Sequence, residues 1–220
     1  NPPRRRRQRQ MCIRDRFSTQ KVKKAYIFDL DGVLIDSEHM MKQAWQICEL
    51  EHKLTQTFDE YFKCIGMPFK DILKTIGIKD NHDAIKHTYD KASIELMEYC
   101  LEFYDDVEDT LKELKKKHKI AVVTSKTAER TKLILDKIDV EFDYVVSPKT
   151  GLRGKPAPDQ IMFCLAMLNV DPQDAVYVGD MQVDYWAAER AGIDFIHATY
   201  GYGNVKCEHS VDQIKQLISQ

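Results

Sequence analysis

Short apolar runs alternate with amphipathic stretches along most of the chain, and this alternation predicts strands and helices in turn. The apolar runs are too short for helices, and they lie at residues 25–28, 120–123, 144–146, 175–178 and 195–197. Apolar residues at helical spacing predict helices at residues 107–117, 128–138, 158–168, 183–191 and 210–218. We therefore expect an α/β protein with a doubly wound parallel sheet, a Rossmann-like core that carries helices on both faces.

One long stretch interrupts the alternation. Residues 37–105 show helical spacing without a strand signal, and the predicted helices cover residues 37–50, 58–64, 69–76 and 81–103, with Ser37 as the N-cap of the first. A connection of about 70 residues is far longer than an ordinary crossover between strands. We therefore expect a helical cap domain at residues 37–105, inserted into an α/β core made of residues 21–36 and 106–220.

The composition permits a buried core and argues against several classes of protein. Of the 220 residues, 43% are hydrophobic, but no apolar run approaches the roughly 18 residues of a membrane span. No apolar block follows the basic start, so we expect neither a signal peptide nor a membrane partner. The six cysteines are scattered without a Cys-x-x-Cys pair, which argues against a zinc or redox site and is typical of reduced thiols in a cytoplasmic protein.

The net charge of −2 hides a strongly basic first segment. Residues 1–20 contain seven arginines and one acidic residue, whereas only three arginines occur in the rest of the chain. Such a segment is typical of an arm that binds nucleic acid or directs targeting. Because the first strand begins beyond it and lysine then replaces arginine, we favour a disordered extension of non-native origin. We expect no nucleic-acid binding by the folded body.

Two carboxylates directly follow the first predicted strand. Asp29 and Asp31 are two residues apart in extended chain, so their side chains point to the same side. Gly32 then allows the chain to turn away without a side chain of its own. The carboxyl ends of parallel strands are where open α/β sheets bind ligands. An Asp-x-Asp-Gly turn without chemistry is the alternative, because Asp and Gly both favour turns.

Three more polar clusters follow the later strands. Thr124 and Ser125 offer a hydroxyl and backbone N–H groups at a helix start, which suits an anion but also an ordinary cap. Lys155 lies in a proline-stiffened loop and is either a fixed cation or a solvated lysine. Asp180 follows a buried strand and Asp184 is one helical turn further, so both can face one site. Several carboxylates together need a counter-ion, and hard oxygen ligands favour Mg²⁺.

These clusters resemble the four sequence motifs of the haloacid dehalogenase-like hydrolase superfamily, in the same order. The matching residues are Asp29-Leu30-Asp31-Gly32, Thr124, Lys155 and Gly179-Asp180 with Asp184. The helical stretch at residues 37–105 resembles the small cap that family members carry between their first two motifs. Residues 199–203, Thr-Tyr-Gly-Tyr-Gly, resemble phosphoglycolate phosphatase-like members.

The resemblance implies a role for each motif residue. Asp29 would be the nucleophile that forms an aspartyl-phosphate, and Asp31 would protonate the leaving oxygen and then deprotonate water. Thr124 and the N–H of Ser125 would hold phosphoryl oxygens. Lys155 would neutralise charge on Asp29 and on the phosphoryl group, as both a catalytic and a phosphate-binding residue.

The resemblance also implies a magnesium site and a substrate loop. Mg²⁺ would bind the Asp29 carboxylate, the Asp31 carbonyl and Asp180, while Asp184 would orient a bound water or Lys155. Residues 66–70 resemble the substrate-specificity loop of the cap, in which Lys70 would meet a substrate anion or simply face solvent.

The expected function is therefore Mg²⁺-dependent hydrolysis of a small phosphomonoester resembling phosphoglycolate. A sugar phosphomutase resembling β-phosphoglucomutase is an alternative, although mutases usually have an acidic residue where this chain has Gly179. A pyrophosphatase or nucleotidase of the same superfamily also stays open, as do a monomeric and a dimeric assembly. A dehalogenase is disfavoured because Asp31 is acidic. A signalling receiver domain is disfavoured because such domains lack a helical insert like the one predicted at residues 37–105.

Overall fold

The computed structural model describes residues 23–219, and the basic segment at residues 1–20 lies outside them. Six parallel strands form the main sheet. Side by side, they are β5 (Tyr144–Val146), β4 (Lys119–Val123), β1 (Ala25–Phe28), β6 (Ala175–Gly179), β7 (Asp194–Ala198) and β8 (Ser210–Val211). The first strand of the chain thus lies in the middle of the sheet, and the predicted doubly wound parallel sheet is confirmed.

Alternating side chains of the central strands supply two separate hydrophobic cores. Tyr26 and Phe28 of β1 belong to one core and Ala25 and Ile27 to the other, because successive strand residues point to opposite faces. Helices α5 (Val107–Lys115) and α6 (Ala128–Leu135) cover the first face, and α7 (Asp159–Leu168) and α8 (Gln182–Ala191) cover the second. The apolar residues whose spacing predicts these helices therefore lie on the helix faces that pack against the sheet.

A third hydrophobic core lies within the range predicted as the cap. Its helices are α1 (Glu38–His52), α2 (Phe58–Phe62), α3 (Phe69–Thr75) and α4 (His82–Cys100). Trp45 of α1 stacks on Tyr61 of α2 with ring centroids 4.6 Å apart, and Tyr61 donates a hydrogen bond to the hydroxyl of Tyr89 on α4. The domain boundaries given above stay predictions. Within residues 23–219, no helix combines the length and the apolar character that a membrane crossing requires.

Two sequence-based expectations about secondary structure are wrong. The range 37–105 is not entirely helical, because β3 (Glu102–Phe103) pairs in antiparallel fashion with β2 (Ile35–Asp36), where the chain enters and leaves the cap helices. The predicted helix at residues 210–218 is instead the edge strand β8 followed by a 3₁₀ helix at Ile214–Ser219. Within the 3₁₀ helix the buried residues Ile214 and Leu217 are three positions apart, which matches its three residues per turn.

Candidate active site

Three buried carboxylates meet at the carboxyl ends of β1 and β6. Oxygen atoms of Asp29, Asp180 and Asp184 lie within 4.8 Å of one another. The adjacent strands position the first two, since Phe28 pairs with Val178 and the Asp29 N–H donates to the Val178 carbonyl at 2.9 Å. Asp184 enters the cluster from the first turn of α8. Two strand ends and one helix start therefore bring together residues that are up to 155 positions apart.

Lys155 is the cation that lies against this cluster. Its side chain is fully buried, and Nζ lies 2.9 Å from Asp29 Oδ1 and 2.7 Å from Asp184 Oδ1. Burial opposes the positive charge, but Asp184 and Asp29 together hold the pKa of Lys155 well above its usual value. Burial also raises the pKa of Asp29 to about 7, because desolvation and repulsion from Asp184 outweigh the attraction of Lys155. One lysine thus leaves the site with an excess of negative charge.

Asp180 has one carboxylate oxygen that fits a bound cation. Its Oδ2 accepts the N–H of Tyr202 at 2.8 Å, whereas its buried Oδ1 has no hydrogen-bond partner. Glycines surround it closely, and a Cβ on Gly32 or Gly201 would lie 2.1 or 2.4 Å from the Asp180 side chain. Burial and the neighbouring carboxylates of Asp184 and Asp29 raise the pKa of Asp180 well above its usual value. A buried orphan oxygen among carboxylates matches the oxygen ligands that Mg²⁺ prefers.

Asp184 differs from Asp180 because both of its oxygens already have partners. Oδ1 pairs with Lys155, and Oδ2 accepts the N–H of Met181 at 3.0 Å. No side chain can stand at position 179, since a Cβ there would lie 2.5 Å from Asp184 Cβ. The arrangement suits a residue that orients Lys155.

Asp31 lies beside the cluster with partners of its own. Its Oδ1 is 3.0 Å from Lys126 Nζ and also accepts a hydrogen bond from Ser37 Oγ. Burial alone would raise the pKa of Asp31, but Lys126 and Ser37 outweigh it and lower the pKa. Burial and the nearby Arg130 in turn lower the pKa of Lys126 to about 8. The lowered pKa favours the ionised form of Asp31.

Sequence reasoning missed Lys126, Arg130 and the role of Ser37. Lys126 follows Thr124 by two residues and Arg130 comes one helical turn later, so their spacing carried a signal that was overlooked. Ser37 does occupy the N-cap position of α1, but its hydroxyl donates to Asp31 and caps no backbone N–H.

Thr124 and Ser125 lie in the loop after β4. Thr124 is fully buried, and its Oγ1 accepts the N–H of Lys126 at 3.1 Å. Ser125 donates its hydroxyl to the carbonyl of Gly66 at 2.6 Å and so contacts the loop between α2 and α3. Both residues line the same cavity as Asp29. Their expected contacts with phosphoryl oxygens stay a prediction.

The cavity has a volume of about 250 Å³ and lies between the strand ends and the cap helices. Its walls combine apolar cap residues with charged residues from both sides, and the cations among them are Lys70, Lys86, Lys126 and Arg130. Lys70 borders the cavity, but its Nζ pairs with Asp83 at 2.6 Å and its side chain is half exposed. Lys70 therefore lies in the cavity wall and partly faces solvent, and its contact with a substrate anion stays a prediction.

Arg130 joins the core to the cap at this wall. The side chain is almost fully buried, its Nη1 donates to Asp90 Oδ1 at 3.1 Å, and its guanidinium lies 5.3 Å from the ring centroid of Tyr89. Lys86 also pairs with Asp90, so this group of two cations and one carboxylate is positive. The Nε of Arg130 is buried and has no hydrogen-bond partner.

Comparison with known proteins gives a consistent result. The family model described as haloacid dehalogenase-like hydrolase matches residues 26–198. A phosphoglycolate phosphatase of Aquifex aeolicus is 33% identical over 181 residues, which cover 80% of this chain and 84% of the relative. A pyrophosphatase of Bacillus velezensis is 30% identical over 179 residues, which cover 79% of this chain and 82% of the relative.

Solved structures share the fold. A haloacid dehalogenase-like family hydrolase from Streptococcus pneumoniae superposes with a TM-score of 0.78 at 19% identity, over 90% of this chain and 97% of that one. At this identity the likeness supports the fold alone. The match covers both the parallel sheet and the helices between β1 and α5.

Proposed function

The chain belongs to the haloacid dehalogenase-like hydrolases, in the phosphoglycolate phosphatase-like branch, and from this premise we propose that it hydrolyses a small phosphomonoester with Mg²⁺ through an aspartyl-phosphate. It is an enzyme, a hydrolase that acts on phosphate esters. The observation that carries the proposal is one juxtaposition. Buried Asp29 borders the cavity while Lys155 and the orphan oxygen of Asp180 lie behind it.

Asp29 acts as the nucleophile in this proposal. One of its oxygens attacks phosphorus, the ester P–O bond breaks, and the leaving oxygen takes a proton from Asp31. Asp31 then removes a proton from water, the water oxygen attacks phosphorus, and the bond to Asp29 breaks to release inorganic phosphate. The second half suits the ionised Asp31 that Lys126 maintains. The first half requires Asp31 to be protonated.

The remaining site residues hold the phosphoryl group. Lys155 balances the charge of Asp29, and Thr124 with the N–H of Ser125 holds phosphoryl oxygens. The Asp29 carboxylate, the Asp31 carbonyl and Asp180 would bind Mg²⁺, with Asp184 orienting Lys155. When bound, the ion supplies positive charge to the phosphoryl oxygens.

The cavity supports a small substrate with a second anionic group. A volume of about 250 Å³ suits a compact metabolite better than a nucleotide, and its cap-side wall carries Arg130, Lys86 and Lys70. A carboxylate such as that of phosphoglycolate would meet these cations, which agrees with the relative named phosphoglycolate phosphatase. A small phosphorylated metabolite is thus the proposed partner, while the cytoplasmic location and the monomer or dimer stay predictions.

Pyrophosphate hydrolysis is the second candidate. The relative from Bacillus velezensis is named a pyrophosphatase, and the same cations would suit a second phosphate. Phosphomutase activity has less support, because Gly179 packs against Asp184 and leaves no room for the acidic side chain expected of a mutase.

A phosphate-release screen tests the proposed function. We expect Mg²⁺-dependent release of inorganic phosphate from 2-phosphoglycolate, with slower release from pyrophosphate and from nucleoside monophosphates, and no release in EDTA. ³¹P NMR of a sugar phosphate would reveal transfer between hydroxyls, the mark of a mutase. Release that persists in EDTA would contradict the magnesium assignment. If none of the esters tested releases phosphate, the proposed reaction itself is wrong.

Arg130→Gln should weaken binding of doubly anionic substrates. Losing a charge-assisted contact of about 1.4 kcal/mol corresponds to a roughly tenfold rise in KM for 2-phosphoglycolate. KM for ethyl phosphate, which has no second anion, should change by less than about twofold. Arg153→Gln is the matched control, because Arg153 is exposed and pairs with Asp159. Equal rises in KM for both esters would show that Arg130 does not meet the second anion.

A further inference from the structure

Tyr202 contacts both Asp180 and Ser37, the hydrogen-bond partner of Asp31. It lies in the loop after β7, and its backbone N–H donates to Asp180 Oδ2 at 2.8 Å. Its phenol oxygen accepts the N–H of Ser37 at 2.6 Å and donates to Asp36 Oδ1 at 3.1 Å.

Ser37 carries the contact onward to Asp31. Its N–H is held by Tyr202, and its hydroxyl donates to Asp31 Oδ1. Ser37 is fully buried, so no solvent water can take the place of its hydroxyl as a hydrogen-bond donor to Asp31 unless the surrounding side chains repack. The chain of contacts runs from Tyr202 through Ser37 to the carboxylate that the proposed reaction uses as acid and base.

We propose that Tyr202 is a positioning residue that orients Asp31 through Ser37. The inference rests on the proposed function for the role of Asp31. The phenol fixes the backbone of Ser37, and the fixed backbone aims the serine hydroxyl at Asp31. Small displacements of a reacting group cost rate, so loss of this anchor lowers the rate of the chemical steps.

A role in cap movement is the competing explanation. The Tyr202 ring lies 5.2 Å from the ring of Phe62 on α2, and Asp36 and Ser37 lie where the chain enters the cap helices. Substitutions at a hinge usually change kcat and KM together. Misplacement of Asp31 alone changes kcat, because the phosphoryl and anion contacts that determine binding remain.

Steady-state kinetics of Tyr202→Phe separates the two roles. We expect kcat to fall about tenfold while KM stays within about twofold. Ser37→Ala should lower kcat by a similar factor, and the double variant should be no slower than Ser37→Ala, because Tyr202 acts through Ser37. Losses that multiply in the double variant, or kcat and KM that move together, would overturn the proposal.

Tyr200→Phe is the matched control. Tyr200 lies in the same loop, is partly buried, and donates its hydroxyl to the carbonyl of Val33 at 3.0 Å, away from Ser37. Its kcat should stay within about twofold of the wild type. Crystal structures of both variants provide a test without activity: the Asp31 carboxylate should leave Ser37 in Tyr202→Phe and stay in Tyr200→Phe. Unmoved Asp31 in Tyr202→Phe refutes the positioning role, whereas an inactive wild type refutes only the proposed reaction.

Discussion

Asp29→Asn is expected to lower kcat by at least about a thousandfold, because an amide cannot replace the carboxylate as the nucleophile. The change keeps the shape of the side chain and removes a charge that burial and Asp184 disfavour. Lys155 keeps Asp184 as a partner at 2.7 Å. We therefore expect a folded protein whose midpoint of thermal unfolding lies close to that of the wild type.

Rapid acid quenching with ³²P-labelled substrate measures the intermediate directly. Wild-type protein should retain label that hydroxylamine removes, as an acyl phosphate does, and Asp29→Asn should retain none. Asp194→Asn is the control, since Asp194 is exposed at the start of β7, at the opposite end of the sheet. Normal phosphate release by a folded Asp29→Asn variant would mean that another residue is the nucleophile.

Lys155→Met is expected to reduce both stability and turnover. It removes the cation that lies between Asp29 and Asp184 and leaves three buried carboxylates without compensation. Breaking a buried ion pair in this way typically costs about 3–5 kcal/mol of unfolding free energy. Turnover should fall as well, because charge on the phosphoryl group is no longer balanced.

The loss of stability should depend on pH in a defined direction. Asp29 has its pKa raised from 3.8 to about 7 on folding even with Lys155 present. The native state therefore binds more protons than the unfolded state in this window, and stability falls as pH rises through it. Loss of Lys155 raises the native pKa further, so the deficit of the variant should be larger at pH 8 than at pH 5.

Urea denaturation in EDTA at these two pH values measures the effect. Lys112→Met is the matched control, because the exposed Lys112 pairs with Glu108 at the surface, and its loss should change little. An equal deficit at pH 5 and pH 8 would show that the carboxylates are not the source. Mg²⁺ added at pH 8 should restore part of the stability of Lys155→Met, since a cation then faces the same carboxylates.

Most errors of the sequence-based prediction fall where long-range pairing decides local structure. The spacing at residues 210–218 suits a helix by pattern, yet Ser210 and Val211 pair with His197 and Ala198 of β7 and become a strand. Likewise, Glu102 and Phe103 continue a helical pattern but pair with β2 across the base of the cap. In each case, strand pairing with a distant segment outweighs a weak local preference.

Local pattern was enough to predict the alternation of strands and helices in the core, the doubly wound parallel sheet and the residues at the strand ends. Parallel strands place their carboxyl ends on one edge, so Asp29, Thr124 and Asp180 had to converge once the alternation was recognised. Which partners these residues take was decided only by tertiary structure. The bond from Ser37 to Tyr202 joins residues 165 positions apart, and Lys126 forms an ion pair with Asp31. Hydrogen bonds and ion pairs depend on distances of about 3 Å and on direction, which no periodicity along the chain specifies.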